Sequence, residues 1–136
     1  MKGVFVALMA MVLSACAPTM VRTYDGPKKS VAEIAIIKGV EGDFKTGLSD
    51  YARFKPHTKL KYENFGGIPG EAHMLPGIYV IKIYCYKGNR FAYPKLPIQA
   101  KAGMTYELRC EYVPDNKSKV RARIANHYAT PIPESK

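Results

Sequence analysis

Apolar residues along this chain fall into two kinds of run. The first is Val4-Phe5-Val6-Ala7-Leu8-Met9-Ala10-Met11-Val12-Leu13, preceded by Met1-Lys2-Gly3 and followed by Ser14-Ala15-Cys16. A positive start, a short apolar stretch and small residues before a cut site make a secretory signal. The stretch falls short of the roughly 20 apolar residues that a bilayer crossing needs. The later runs are short, rich in branched and aromatic residues, and several alternate in polarity, which is the pattern of β-strands.

Val31-Ala32-Glu33-Ile34-Ala35-Ile36-Ile37 reads as a buried strand, and residues 39–52, punctuated by Gly39, Gly42 and Gly47, as a loop with a short helical turn near Leu48-Ser49-Asp50-Tyr51. Residues 59–65 alternate and predict a half-buried strand. Residues 68–77 predict two Pro-Gly turns. Ile78 to Tyr86 is the strongest strand of the chain, closed by Lys87-Gly88-Asn89. Tyr93 to Ala100 is a further strand, and Pro94 and Pro97 place it at an edge or make it irregular. Thr105 to Val113 and Lys117 to Asn126 complete the set, joined through Pro114-Asp115-Asn116. No segment carries a helical repeat of apolar residues. The expected fold is therefore all-β, an antiparallel β-sandwich of about six or seven strands. The expected division is a signal peptide over residues 1–15, Cys16 and a linker to residue 29, a sandwich domain over 30–128 and a flexible tail over 129–136.

Side chains alternate across a strand. That parity puts Cys85 on one face with Tyr79, Ile81 and Ile83, and Cys110 on one face with Tyr106, Leu108 and Tyr112. Both thiols then point into the core. In an exported, oxidising compartment the pair is a disulfide candidate, and two free core cysteines are the other reading.

Charge changes the picture next. The chain has 21 Lys and Arg against 11 Asp and Glu, a formal charge of +10. Cleavage before Cys16 removes only Lys2 from this count, so a strong positive excess stays with the domain. Two rows of cations occupy alternate positions: Lys117, Lys119, Arg121 and Arg123, and Arg53, Lys55, His57, Lys59 and Lys61, the second interrupted by Pro56. Such rows suit phosphate or carboxylate groups. They equally suit solvated sheet faces, or an edge strand charged against aggregation. Tyr84 and Tyr86 share a face with Lys82, and rings beside cations suit a sugar or a protein partner, or cover a second layer of the fold.

Motifs of catalysis are missing from the sequence. His57, His73 and His127 are not at metal-ligand spacing with another His or Cys. Neither a nucleophile elbow nor a phosphate-binding glycine loop occurs. The expectation is a non-enzymatic chain with no cofactor and no metal, an enzyme whose site is assembled from dispersed residues being the less favoured alternative.

Leu13-Ser14-Ala15-Cys16 resembles the lipobox of bacterial lipoproteins, in which the cysteine thiol receives a diacylglycerol and the peptide is cut before it. The order of Tyr24-Asp25-Gly26-Pro27, the 31–37 run, Leu75-Pro76-Gly77-Ile78-Tyr79 and Ala102-Gly103-Met104-Thr105-Tyr106-Glu107-Leu108 is similar to a group of small uncharacterised Gram-negative lipoproteins. The Leu-Pro-Gly-x-Tyr step also resembles transthyretin-like and related β-sandwich modules. This resemblance implies lipidation at Cys16 and a sandwich that binds or braces something. With Ala17 rather than Asp after the cysteine, it implies the outer membrane, facing the periplasm. The partners expected are the membrane through the anchor, and cell wall, lipopolysaccharide or an envelope protein; location disfavours nucleic acid.

Overall fold

The computed structural model describes residues 20–133. The signal-peptide segment, Cys16 and residues 134–136 lie outside the described residues. Ten strands and no helix are present among the described residues: β1 (Met20–Arg22), β2 (Ala35–Val40), β3 (Lys45–Arg53), β4 (Glu63–Asn64), β5 (Glu71–Met74), β6 (Gly77–Lys87), β7 (Arg90–Ala92), β8 (Lys95–Ala100), β9 (Met104–Val113) and β10 (Asn116–Ala129).

Two sheets form. One has the order β1-β5-β2-β9-β10; the other has the order β4-β3-β6-β7, with β8 also paired to β6. The fold is all-β, as expected, and consistent with a sandwich. It is not purely antiparallel: β1 pairs with β5, and β2 with β9, in parallel.

The alternation read from the sequence holds in the two strongest strands. Tyr79, Ile81, Ile83 and Cys85 of β6 are buried, as are Tyr106, Leu108 and Cys110 of β9. They meet Ile37, Phe44, Leu48, Ala72 and Met74 in one core cluster. Cys85 and Cys110, one from each sheet, are joined there by a disulfide. A smaller cluster of Tyr24, Ile34 and Ile36 sits beside the main core. It explains why the 31–37 run becomes strand only from Ala35: the chain turns first, and this places Ile34 and Tyr24 together.

Other expectations are corrected. Residues 45–53 are strand β3, not a loop with a helical turn. A bulge between Leu48 and Asp50 is the reason. It inserts one residue, so period-2 alternation breaks within the strand and hides it. Residues 71–74 between the two Pro-Gly steps form β5. The 59–65 segment pairs only through Glu63 and Asn64, leaving Leu60 exposed. The strand expected from Tyr93 to Ala100 begins only at Lys95, as β8; Tyr93-Pro94 separates it from β7, and both pair with β6 at the sheet margin. Within the stretch read as a linker, Met20–Arg22 is paired, and Thr23 donates its backbone N–H to the His73 carbonyl. At the start of the tail, Thr130 donates its backbone N–H to the Gly103 carbonyl, and its hydroxyl lies 2.6 Å from that of Thr105.

Strand directions give the sandwich two distinct ends. The starts of β1, β3, β5, β7 and β10 and the finishes of β2, β6 and β9 share one end. The loop of residues 54–62, the β5–β6 turn at Leu75-Pro76 and the β8–β9 turn lie at the other.

Candidate functional site

Arg53 ends β3, and the chain then leaves the sheet through a tight turn. The Thr58 hydroxyl donates to the Lys55 carbonyl at 2.8 Å, and His57 takes a left-handed φ of 63°. Histidine tolerates that conformation better than branched residues do. This turn folds the cationic row back on itself. Arg53, Lys55, Lys59 and Lys61 thereby line one cleft of about 280 Å³, together with Tyr51, Thr58 and Glu63. His57 is not among the lining residues.

The cleft has a fixed floor. Arg53 donates to the Pro76 carbonyl at 2.9 Å, and its guanidinium lies 5.8 Å from the Tyr79 ring centroid. Tyr51 donates to Glu63 at 3.0 Å. Burial first, and the Glu63 carboxylate second, push the Tyr51 phenol up to about 12, so it stays protonated at neutral pH. Glu63 is the one carboxylate lining the cleft, set against four cations. The arrangement can hold an anion by charge and by flexible ammonium donors.

The second row behaves differently. A register shift between Asn116 and Val120 leaves Lys117 and Lys119 in a bulge. Arg121 and Arg123 both reach Glu111 on β9, at 2.6 and 2.7 Å, and their hydrogen bonds hold the Glu111 carboxyl below its ordinary value. Two of the four charges are thus shared with an acid, and the row is not one uninterrupted cationic stripe. The row lies along β10, which pairs only with β9, so charge at this edge also opposes unwanted strand pairing.

A further surface was only half visible in the sequence. On the outer face of the β6 sheet, Tyr84 and Tyr86 stack at 4.9 Å between centroids. Pairing of β7 with the end of β6 brings Phe91 opposite Tyr86. Tyr93 follows at 5.1 Å from Tyr84. Phe91 is 64% exposed and Tyr93 46%. The alternating parity of Phe91 and Tyr93 was the available signal, but Pro94 masked it as an irregular strand. Lower on the same face, the ammonium groups of Lys82 and Lys95 each lie 5.1 Å from the Tyr62 ring centroid, so these tyrosine and lysine side chains occupy one another.

Of the remaining histidines, His73 is buried and bonded to Glu71 at 2.7 Å, while His127 lies 6.4 Å from the Tyr106 ring. Among the described residues no three His, Cys, Asp or Glu gather as a metal site, and no helix is long and apolar enough to cross a membrane.

These features define the class as an all-β, disulfide-bridged, two-sheet domain with a cationic cleft at one end and an exposed aromatic cluster toward the other. No family model, curated protein or solved structure matches the chain.

Proposed function

We propose that this protein is a lipid-anchored, non-catalytic binding module of the bacterial outer membrane, facing the periplasm and contacting an anionic polymer, cell wall or lipopolysaccharide. The lipobox at Leu13 to Cys16 supplies the address. The observation that carries the binding role is the gathering of Arg53, Lys55, Lys59 and Lys61 around one cleft. A solvated face would spread these charges; here a turn concentrates them against a rigid strand end. Long ammonium side chains suit repeated carboxylate or phosphate groups, whose binding weakens as salt screens the charges.

The test is co-sedimentation of the protein with purified cell wall and with lipopolysaccharide at low and high salt. Binding should be salt-sensitive and should be abolished by Lys55→Glu, Lys59→Glu and Lys61→Glu together. The Lys117→Glu, Lys119→Glu pair should weaken it less. Failure to bind either polymer at low salt overturns this reading. A second reading, subunit of an envelope assembly, is favoured by the 14-residue edge strand β10, which pairs on one side only. It predicts a specific crosslinked protein partner that survives charge reversal in the cleft.

A further inference from the structure

The aromatic cluster of Tyr84, Tyr86, Phe91 and Tyr93 lies on the outer face of the β6 sheet, toward the end from which β1 runs; β1 is only three residues long, and Thr23 just beyond it lines a pocket with Arg53 and Lys55. Met20 pairs with Glu71 at the start of β5. Two and three residues before Glu71 come Pro69 and Ile68, and Ile68 lines a shallow cleft with Gly47, Gly67, Gly70, Tyr84 and Tyr86. Ile68 itself is 42% exposed. Gly47 makes room for it: a Cβ there would sit 2.5 Å from the Ile68 Cγ2. Exposed apolar surface therefore runs from Ile68 to the four rings.

Cations rim the same end. Lys45 is the register partner of Tyr86, and Lys87 and Arg90 flank the β6–β7 turn. The charged ends of Lys87 and Arg90 each lie 5.8 Å from the Tyr112 ring centroid. Lys117 shares a cleft with Arg90 and Tyr112. Acids toward this end are Glu41 and Asp43 of the β2–β3 loop, Asp115 of the β9–β10 turn, Glu71 at the start of β5, bonded to His73, and Glu111 near the finish of β9, held by Arg121 and Arg123. Asp43 accepts the Tyr112 backbone N–H at 3.4 Å.

Chain length then limits what this surface can meet. Only residues 17–19 separate Cys16 from Met20. Four residue steps of fully extended chain reach at most about 14 Å. If Cys16 carries lipid, Met20 is held within about 14 Å of the bilayer surface, so the domain stays against the membrane and an exposed face of it can rest there. Tyrosine rings favour that boundary, because the ring is apolar and the hydroxyl stays wet. Basic side chains beside them meet anionic headgroups.

We propose that Tyr84, Tyr86, Phe91 and Tyr93 form a membrane-docking face that lies in the headgroup region of an anionic phospholipid bilayer. The face fixes the orientation of the domain on the membrane. This inference rests on the lipid-anchor reading, but not on the choice of polymer at the cleft.

The chain has no tryptophan, so a single introduced one reports unambiguously. The full-length protein is produced in a Gram-negative host, purified from its membranes and reconstituted into phosphatidylethanolamine–phosphatidylglycerol vesicles carrying brominated acyl chains. Phe91→Trp should lose most of its emission relative to vesicles without bromine. Phe54→Trp, exposed at the opposite end, should keep its emission. Tyr93→Trp is a second reporter on the same face should Phe91→Trp disturb the fold. Protein that does not float with the vesicles overturns the anchor reading, and the docking proposal with it. Protein that floats, with Phe91→Trp no more quenched than Phe54→Trp, overturns docking while the anchor stands. A blue-shifted but unquenched Phe91→Trp emission likewise overturns it, since a protein surface such as a second copy would then cover the patch.

Discussion

Cys85 of β6 and Cys110 of β9 face each other across the core, with their Cα atoms 5.8 Å apart and both side chains fully buried. Each belongs to a different sheet, so their bond ties the two layers together at the centre of the fold rather than at its margin.

The bond closes a loop of sequence separation 25. On the chain-entropy account, such a loop stabilises by about 3–4 kcal/mol. The double variant Cys85→Ala, Cys110→Ala should lose that amount plus the packing of two sulfur atoms. Urea denaturation should show a lower midpoint than wild type. Adding a reductant should lower the wild-type midpoint toward that of the variant and leave the variant where it is.

Gly39 supports a second expectation. A Cβ at this position would lie 2.7 Å from the Thr46 carbonyl oxygen, a backbone atom that moves only if β3 moves. At Gly42 the conflict is with the Arg109 side-chain carbons at 2.6 Å. That side chain can shift in part, while the Cys110 carbonyl oxygen at 3.2 Å is a looser backbone contact than the one at Gly39. Gly39→Ala should therefore destabilise by about 1–3 kcal/mol, as overpacking does elsewhere. Gly42→Ala should cost less. Thermal unfolding of the two variants measures the order, and the reverse order would show that the β2–β3 approach is looser than described.

Glu111 gives the pH dependence. Its two arginine partners, Arg123 before Arg121, lower its folded value. The unfolded chain keeps the ordinary carboxylate value of about 4.3. A depressed folded value means the contribution is complete above that range and is lost as pH falls through the folded value. Both arginines are nearly half exposed, so the network contributes about 1 kcal/mol or less. Glu111→Gln should lower stability at pH 7 by that amount, and the loss should shrink as pH falls below the ordinary carboxylate range and through the folded value. Denaturation midpoints across pH 2–7 check it; an equal loss at every pH would assign the effect to packing rather than charge.

Much of the architecture was legible because it is local. β6 and β9 follow from alternation, and the two cysteines follow from their parity on those strands. The cationic row at 53–61 could be counted, but not its shape. The Lys55–Thr58 turn, closed by a side-chain hydroxyl, gathers the row into a cleft. β3 was hidden by one extra residue at the Ser49 bulge, which shifts the alternation halfway along the strand. The 59–65 run alternates as a strand should, yet Tyr62 is held by Lys82 and Lys95 on the outer face, and pairing is limited to two residues.

The sequence by itself determined the strand-rich class, the inward parity of Cys85 and Cys110 and the excess of positive charge, because residue type and period act over a few neighbouring residues. Only the tertiary structure decided which cations stay free and which are spent. Arg121 and Arg123 meet Glu111 through β9–β10 register, while Lys55, Lys59 and Lys61 meet no more than one carboxylate. It also decided that Phe91 and Tyr93 join Tyr84 and Tyr86 in one exposed cluster. Charge pairing and ring stacking depend on distance in space, and in a sheet that distance is set by strand pairing, which the order of residues along the chain does not carry.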